Sequence, residues 1–214
     1  MRCSAATQHS PRLELIVFAI VLTLLNVPLL DGAWRAQFVF VPDLVAAGDW
    51  WRVLTHPFVH VSWYHLLLDG GALFLLYPEL RDWSRARRLV ALAICALGSL
   101  LAAMLSPAVA SIGFCGLSGV AHGLMALAAV EMIRRAEKRE RIAGWCALAL
   151  VVGKAAIEAA TGQVALAFLH FDLMGVPIAA CHAGGALAGL MFALLPQVTN
   201  PAASSTPESA ASPA

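Results

Sequence analysis

Three short stretches hold the residue types that could do chemistry. In "GFCGLSGVAHGL", residues 113–124, Ser118 stands between Gly116 and Gly119, and His122 follows four residues later. In "AACHAGGALAGL", residues 179–190, His182 precedes Gly185 and Gly189 by three and seven residues, which puts all three on one helix face. In "HPFVHVSWYHLLLDGG", residues 56–71, His56, His60 and Ser62 lead into His65 and Asp69, four apart and also on a shared face. A serine hydroxyl becomes a nucleophile when an imidazole within hydrogen-bond reach can take its proton. Each stretch alone has a plainer reading: small residues pack membrane helices, and histidines near an interface often only pack. A helix bearing His182 and a glycine stripe can, however, press close against a helix bearing Ser118, and the pair then reads as catalytic. The sequence has no H-E-x-x-H and no cysteine-based ligand set, so no metal is expected.

The elements that must position these residues are apolar. Of the 214 residues 60% are hydrophobic and 13% charged, and mean hydropathy is +0.78. Soluble domains are roughly 45–50% apolar and about 25% charged. Six apolar runs stand out, at about 13–30, 63–80, 89–105, 117–133, 142–160 and 177–195. Each approaches the ~20 residues that cross ~30 Å of hydrocarbon. The expected architecture is therefore an all-α, polytopic bundle of six transmembrane helices. The first run, behind Arg2 and Arg12, is read as a retained helix rather than a cleaved signal peptide. Residues 1–12 form a short N-terminal segment, 13–196 the six-helix domain, and 197–214 a disordered tail.

Charge orients the bundle. Eleven of the 14 lysines and arginines lie at the N-terminus, between runs two and three, or between runs four and five. By the positive-inside rule both termini are cytoplasmic. Ser118 and His182 then fall at the outer side. The long segments 31–62, rich in aromatics, and 161–176, apolar for a loop, lie on that side too; the second reads as a lid over the site. Net charge is +1, which gives no reason to expect nucleic acid. Five cysteines is an odd number without metal-type spacing.

Taken together the stretches resemble the rhomboid family of intramembrane serine proteases. The resemblance covers about residues 13–196. It rests on Trp51-Arg52, His56-x-x-x-His60, Ser62 and His65, then Gly116-Leu117-Ser118-Gly119, then His182-x-x-Gly185-x-x-x-Gly189. It implies a Ser118–His182 dyad needing no cofactor, with Ser118 the nucleophile and His182 the general base. The oxyanion would sit near the Ser118 N–H and His65, no third acid would be required, and packing would orient the histidine. The expected partners are membrane-anchored protein substrates and the lipid bilayer, and the expected location is a bacterial inner membrane, with the site open to the outside.

Two positions depart from the family pattern. Asp69 stands where many rhomboids carry an asparagine that donates toward the oxyanion. A carboxylate there is expected either to be protonated or to be turned so as to hold His65 in its donor tautomer. His122 replaces a residue often aromatic, and is expected to face His182 as a packing partner. Lys154 and Glu158, four apart in run five, read as an intramembrane ion pair or as groups that meet the substrate. With the short chain and "GLSGVAHG", these features are similar to the bacterial rhombosortases, thought to trim C-terminal anchors containing Gly-Gly. Cys115 and Cys181 are read as small packing residues, with a disulfide as the alternative. The competing class is a catalytically inactive rhomboid-like protein that binds membrane clients.

Overall fold

Pro11 fixes the backbone ahead of the first helix, and the following residues are helix formers until the chain meets Pro28 and Gly32. This computed structural model describes residues 10–171, 173 and 175–196. The tail read as disordered lies outside the described residues. Helix α1 (Arg12–Asn26) runs on through a 3-10 turn to Asp31, where Gly32 ends it in a left-handed conformation. Two short helices follow in the aromatic segment, α2 (Pro42–Ala46) and α3 (Arg52–Thr55). The remaining elements are α4 (Trp63–Leu76), α5 (Arg85–Ala103), α6 (Ala108–Ile112), α7 (Ser118–Arg134), α8 (Lys138–Thr161) and α9 (Ala180–Leu194). Ser62 caps α4 by accepting from the His65 N–H at 3.0 Å, and Ser84 caps α5 by accepting from the Arg87 N–H at 3.3 Å. The described residues form no strands beyond one isolated bridge, Phe40 to Phe114.

Each apolar run is thus a helix, in an all-helical multi-pass membrane protein. Arg12–Asp31, Arg85–Ala103 and Lys138–Thr161 are long and apolar enough to cross by themselves. Residues 52–58 and 63–80 pass that test only jointly and bend by 94° between them. Helices α7 and α9, of 17 and 15 residues, are about 26 and 23 Å long at 1.5 Å per residue. Helix α7 buries Gly119, Val120, Gly123, Leu124 and Ala126–Ala129, while exposed Ile16, Ile20 and Leu24 of α1 and Ile142, Leu150 and Ile157 of α8 face outward. That outward apolar surface suits lipid and not water.

Close approach of α9 to its neighbours is written in glycine. A Cβ placed on Gly185 would fall on the Gly119 carbonyl, and one on Gly189 on the Gly123 carbonyl. On the opposite face of α9, Gly184 meets Gly98 of α5 in the same way. Helix α9 is therefore wedged between α5 and α7 at backbone contact.

The basic residues collect at one end and close it. Arg88 is fully buried; it reaches Glu14 of α1 at 2.5 Å and the Trp83 carbonyl at 2.5 Å. Arg87 stacks 4.6 Å from the Trp83 ring and donates to the Leu195 and Pro196 carbonyls. Arg134 donates to the Ala193 carbonyl, and Arg135 to Glu79 and Glu140. Arginines expected as loop charges thus also cap helix ends. At the other end lie 31–62, 104–117 and the described residues between α8 and α9.

Replacing Gly185 with valine is expected to force α7 and α9 apart and to lower unfolding free energy by about 1–3 kcal/mol or more. Gly153→Ala on α8 meets nothing within 4 Å and is expected to be neutral. Unfolding in mixed detergent micelles measures both.

Candidate active site

Ser118 opens α7, where the first N–H groups of the helix have no partner within it. The segment ahead of Ser118 is fixed by backbone bonds. Phe114 and Phe40 exchange N–H···O bonds at 2.8 and 3.0 Å, and the Gly116 N–H donates to the His56 carbonyl at 3.0 Å. The Leu117 N–H donates to Asp69 Oδ2 at 2.7 Å. Gly116 takes φ +103°, and a Cβ there would lie 2.7 Å from the His65 ring and 3.0 Å from Asp69 Oδ2. Only glycine allows that turn and that approach together.

The aromatic segment that supplies these partners is itself stapled. Arg52, buried, pairs with Asp49 at 2.9 Å and donates to the Ala36 and Val39 carbonyls, each at 2.9 Å. His56 donates from Nδ1 to the Val53 carbonyl at 3.0 Å. Asn26 of α1 donates to the Phe58 carbonyl at 2.8 Å and accepts from the His60 N–H at 2.9 Å.

A cavity of about 410 Å³ opens at this end. Ser118, His182, His65, Asp69 and His122 all line it, with Lys154, Cys181 and residues 164–166 and 175–178 of the second long segment. Gly116 stands against its His65 and Asp69 wall. Ser62 anchors the second segment by donating from its hydroxyl to the Leu173 carbonyl. The Ser118 hydroxyl contacts Cys181 Sγ at 3.5 Å and does not hydrogen-bond to His182. Cys95, Cys115, Cys146 and Cys181 are free thiols, so Cys115 and Cys181 do not pair.

His182 sits in a network of definite polarity. Its Nδ1 lies 2.6 Å from Glu158 Oε2, so that nitrogen carries the proton and Nε2 is left to accept one. Glu158 is fully buried, and its Oε1 accepts from Lys154 Nζ at 2.5 Å and from the Ala165 N–H at 2.9 Å. Lys154 Nζ lies 3.0 Å from Nε2 of His122, whose Nδ1 donates to the Ser118 carbonyl at 2.7 Å. The His122 and His182 rings stack at 4.0 Å with 13° between planes. His122, expected to face His182, does so, and it also joins the start of α7 to α8.

Across the cavity, Asp69 Oδ2 accepts one hydrogen bond and lies close to two imidazoles. Besides the Leu117 N–H, His65 Nε2 faces it at 3.1 Å and His60 Nε2 at 3.4 Å. Asp69, expected either to be protonated or to be turned to hold His65, has its Oδ2 beside His65 Nε2. Both this cluster and His122, Glu158 and His182 have the composition of metal ligands. In the second cluster Lys154 Nζ lies among the three side chains, where its ammonium would repel a cation.

Sequence reasoning left Glu158 undecided between ion pair and substrate contact, and expected packing alone to orient His182. The ion pair is present, and the carboxylate also reaches His182. The signal was available: an acid and a base four apart in an apolar run, one turn short of the end of α8. What the sequence lacked was the rotation that turns this face toward α9.

A family model described as "Rhomboid domain" matches residues 47–196. A curated protein from Arabidopsis thaliana, "RHOMBOID-like protein 9, chloroplastic", is 39% identical over 61 residues, which is 28% of this chain and 13% of the relative. The chain thus matches only a small part of that relative's length. No solved structure matches the chain.

Asp69→Ala would strip the acceptor from the Leu117 N–H and leave His60 and His65 facing a void. It is expected to lower unfolding free energy by about 1–3 kcal/mol in micelles. Asp69→Asn, which keeps an oxygen for the Leu117 N–H, is expected to lose less than half of that.

Proposed function

The chain belongs to the rhomboid family, and from that premise we propose that it is an intramembrane serine protease acting through Ser118 and His182. Members of this family are generally proteases of that kind. The observation that carries the reading is that the start of α7 and the start of α9 face one cavity, with the residue before His182 already against the Ser118 hydroxyl. Ser118 and His182 line the same cavity, and catalytic hydrogen bonds commonly tighten only when substrate binds.

In this reading Ser118 Oγ attacks the scissile carbonyl carbon while its proton passes to His182 Nε2. The negative charge that develops on the carbonyl oxygen is met by the unpartnered N–H groups of the first turn of α7, with His65 lining the same cavity. As the C–N bond breaks, His182 returns the proton to the leaving amine, and Ser118 holds the acyl group. Water then enters, gives a proton to His182 and attacks the ester; as the ester C–O bond breaks, His182 passes that proton to Ser118 Oγ, releasing the new carboxylic acid and restoring the serine hydroxyl. The wet site requires that this end of the bundle open to the aqueous side.

The six apolar runs are read as six crossings, and the distribution of arginine and lysine supports cytoplasmic termini and an outward-facing site, with a bacterial inner membrane as the location. Substrates are membrane-anchored proteins cut where the anchor helix is weak, because a helical backbone keeps its carbonyls engaged. Asp69, "GLSGVAHG" and the Lys154–Glu158 pair support the rhombosortase subgroup, with Gly-Gly-containing C-terminal anchors as the segments removed.

Ser118→Ala and His182→Ala are each expected to reduce release of a tagged, Gly-Gly-anchored membrane protein by about 10³-fold or more. A fluorophosphonate should label the wild type at Ser118. Undiminished release by Ser118→Ala would overturn the protease reading in favour of a client-binding, catalytically inactive protein.

A further inference from the structure

The family resemblance assigns two groups to the reaction and leaves orientation of the base to packing. This chain carries something more specific. Glu158 is fully buried on α8, yet none of its contacts is incidental. Oε2 faces His182 Nδ1 at 2.6 Å, while Oε1 is held by Lys154 Nζ at 2.5 Å and by the Ala165 N–H at 2.9 Å. We propose that Glu158 is a positioning residue that fixes His182 with its proton on Nδ1 and its lone pair on Nε2, so that the site works as a Ser118–His182–Glu158 triad braced by Lys154. The inference rests on the protease reading.

The physical case is a matter of what each proton can do. A buried carboxylate is stable only when charge and hydrogen bonds compensate it. Here one oxygen takes the ammonium and a backbone N–H, and the other is left for the imidazole. That division leaves His182 Nδ1–H with a single acceptor, and a ring so held cannot turn over to present the wrong nitrogen. When His182 takes the serine proton it becomes a cation, and Glu158 is the anion in contact with it. Lys154 by itself would oppose that cation at 3.4 Å from Nδ1. Glu158 stands between the two and makes the double protonation of His182 tolerable. The other groups facing His182 are His122 of α7, stacked on the ring, and the thiol of Cys181, which offers no comparable acceptor.

The plain alternative is that Glu158 only neutralises Lys154. The two roles separate by experiment. Fluorophosphonate labelling of the purified full chain in detergent reports the first half-reaction: Ser118 Oγ bonds to phosphorus, fluoride leaves, and the serine proton goes to His182. Glutamine at 158 keeps an oxygen for Lys154 and Ala165 but turns an N–H toward His182 Nδ1, which favours the opposite tautomer. Glu158→Gln is expected to lower the maximal labelling rate about 10²–10⁴-fold, with the half-saturating probe concentration and melting temperature nearly unchanged. Glu158→Asp should recover part of the rate. The double variant Lys154→Met/Glu158→Gln, which removes both charges, should stay as slow as Glu158→Gln. Labelling of Glu158→Gln within about threefold of wild type would overturn the proposal. So would recovery in the double variant, or a loss that merely tracks the unfolded fraction. If Ser118→Ala were itself labelled at the wild-type rate, the protease reading would fail instead, so the two failures are distinguishable.

Discussion

Backbone contact between α7 and α9 is the constraint on which the rest depends. Ser118 and His182 are 64 positions apart in the chain and belong to different helices. They can share a cavity only if those helices approach more closely than ordinary side chains permit. Gly185 against the Gly119 carbonyl and Gly189 against the Gly123 carbonyl set that distance. In lipid there is little hydrophobic drive for helices to associate, so shape carries the association. The same residues that allow packing therefore set the reach of the chemistry. A Cβ at either contact would part the helices and move the imidazole away from the hydroxyl.

Close packing explains the distance but not the polarity of the site. A charged group within a membrane bundle is unfavourable unless its partners are near and well aimed. Here the polar groups are arranged in two closed sets on opposite walls of one cavity. One is Asp69 with His60, His65 and the Leu117 N–H; the other is Lys154, Glu158, His122 and His182. Each set ties a helix to the segment around Ser118. Asp69 holds the N–H just before the serine, and His122 holds the serine's own carbonyl. Ser118 is thus held on both sides, by a carboxylate on the N–H before it and an imidazole on its own carbonyl.

These two levels differ in how far the sequence discloses them. The helices, the Ser118 and His182 stretches and the glycine stripe were legible, because hydrophobic runs, small residues and spacing on one face are local properties. The direction of Asp69 toward His65 was among the alternatives, because four-residue spacing puts both on one face. The contact of Glu158 with His182 was not legible. It depends on how α8 is rotated against α9, and nothing in the composition of α8 fixes that angle. Nor was the burial of Arg88, which the positive-inside rule counts as a loop charge and which the fold sets against Glu14. Charge counting bears on which side of a membrane a segment faces; it does not find the partner.

The two ends of the bundle then divide the work. At the basic end, arginine side chains bond to the last carbonyls of α9 and to acids of α1, the turn after α4 and the start of α8. These bonds lock helix ends that would otherwise carry unsatisfied acceptors. At the cavity end, the corresponding N-terminal donors of α7 are left open, while the chain just before them is pinned by Phe40, His56 and Asp69. A helix whose C-terminal end is clamped and whose N-terminal donors are free can offer those donors to a developing negative charge without first moving. The rigid basic end is what permits an open, preorganised end at Ser118. On this view the arginines far from the cavity contribute to the site by holding α7 and α9 still.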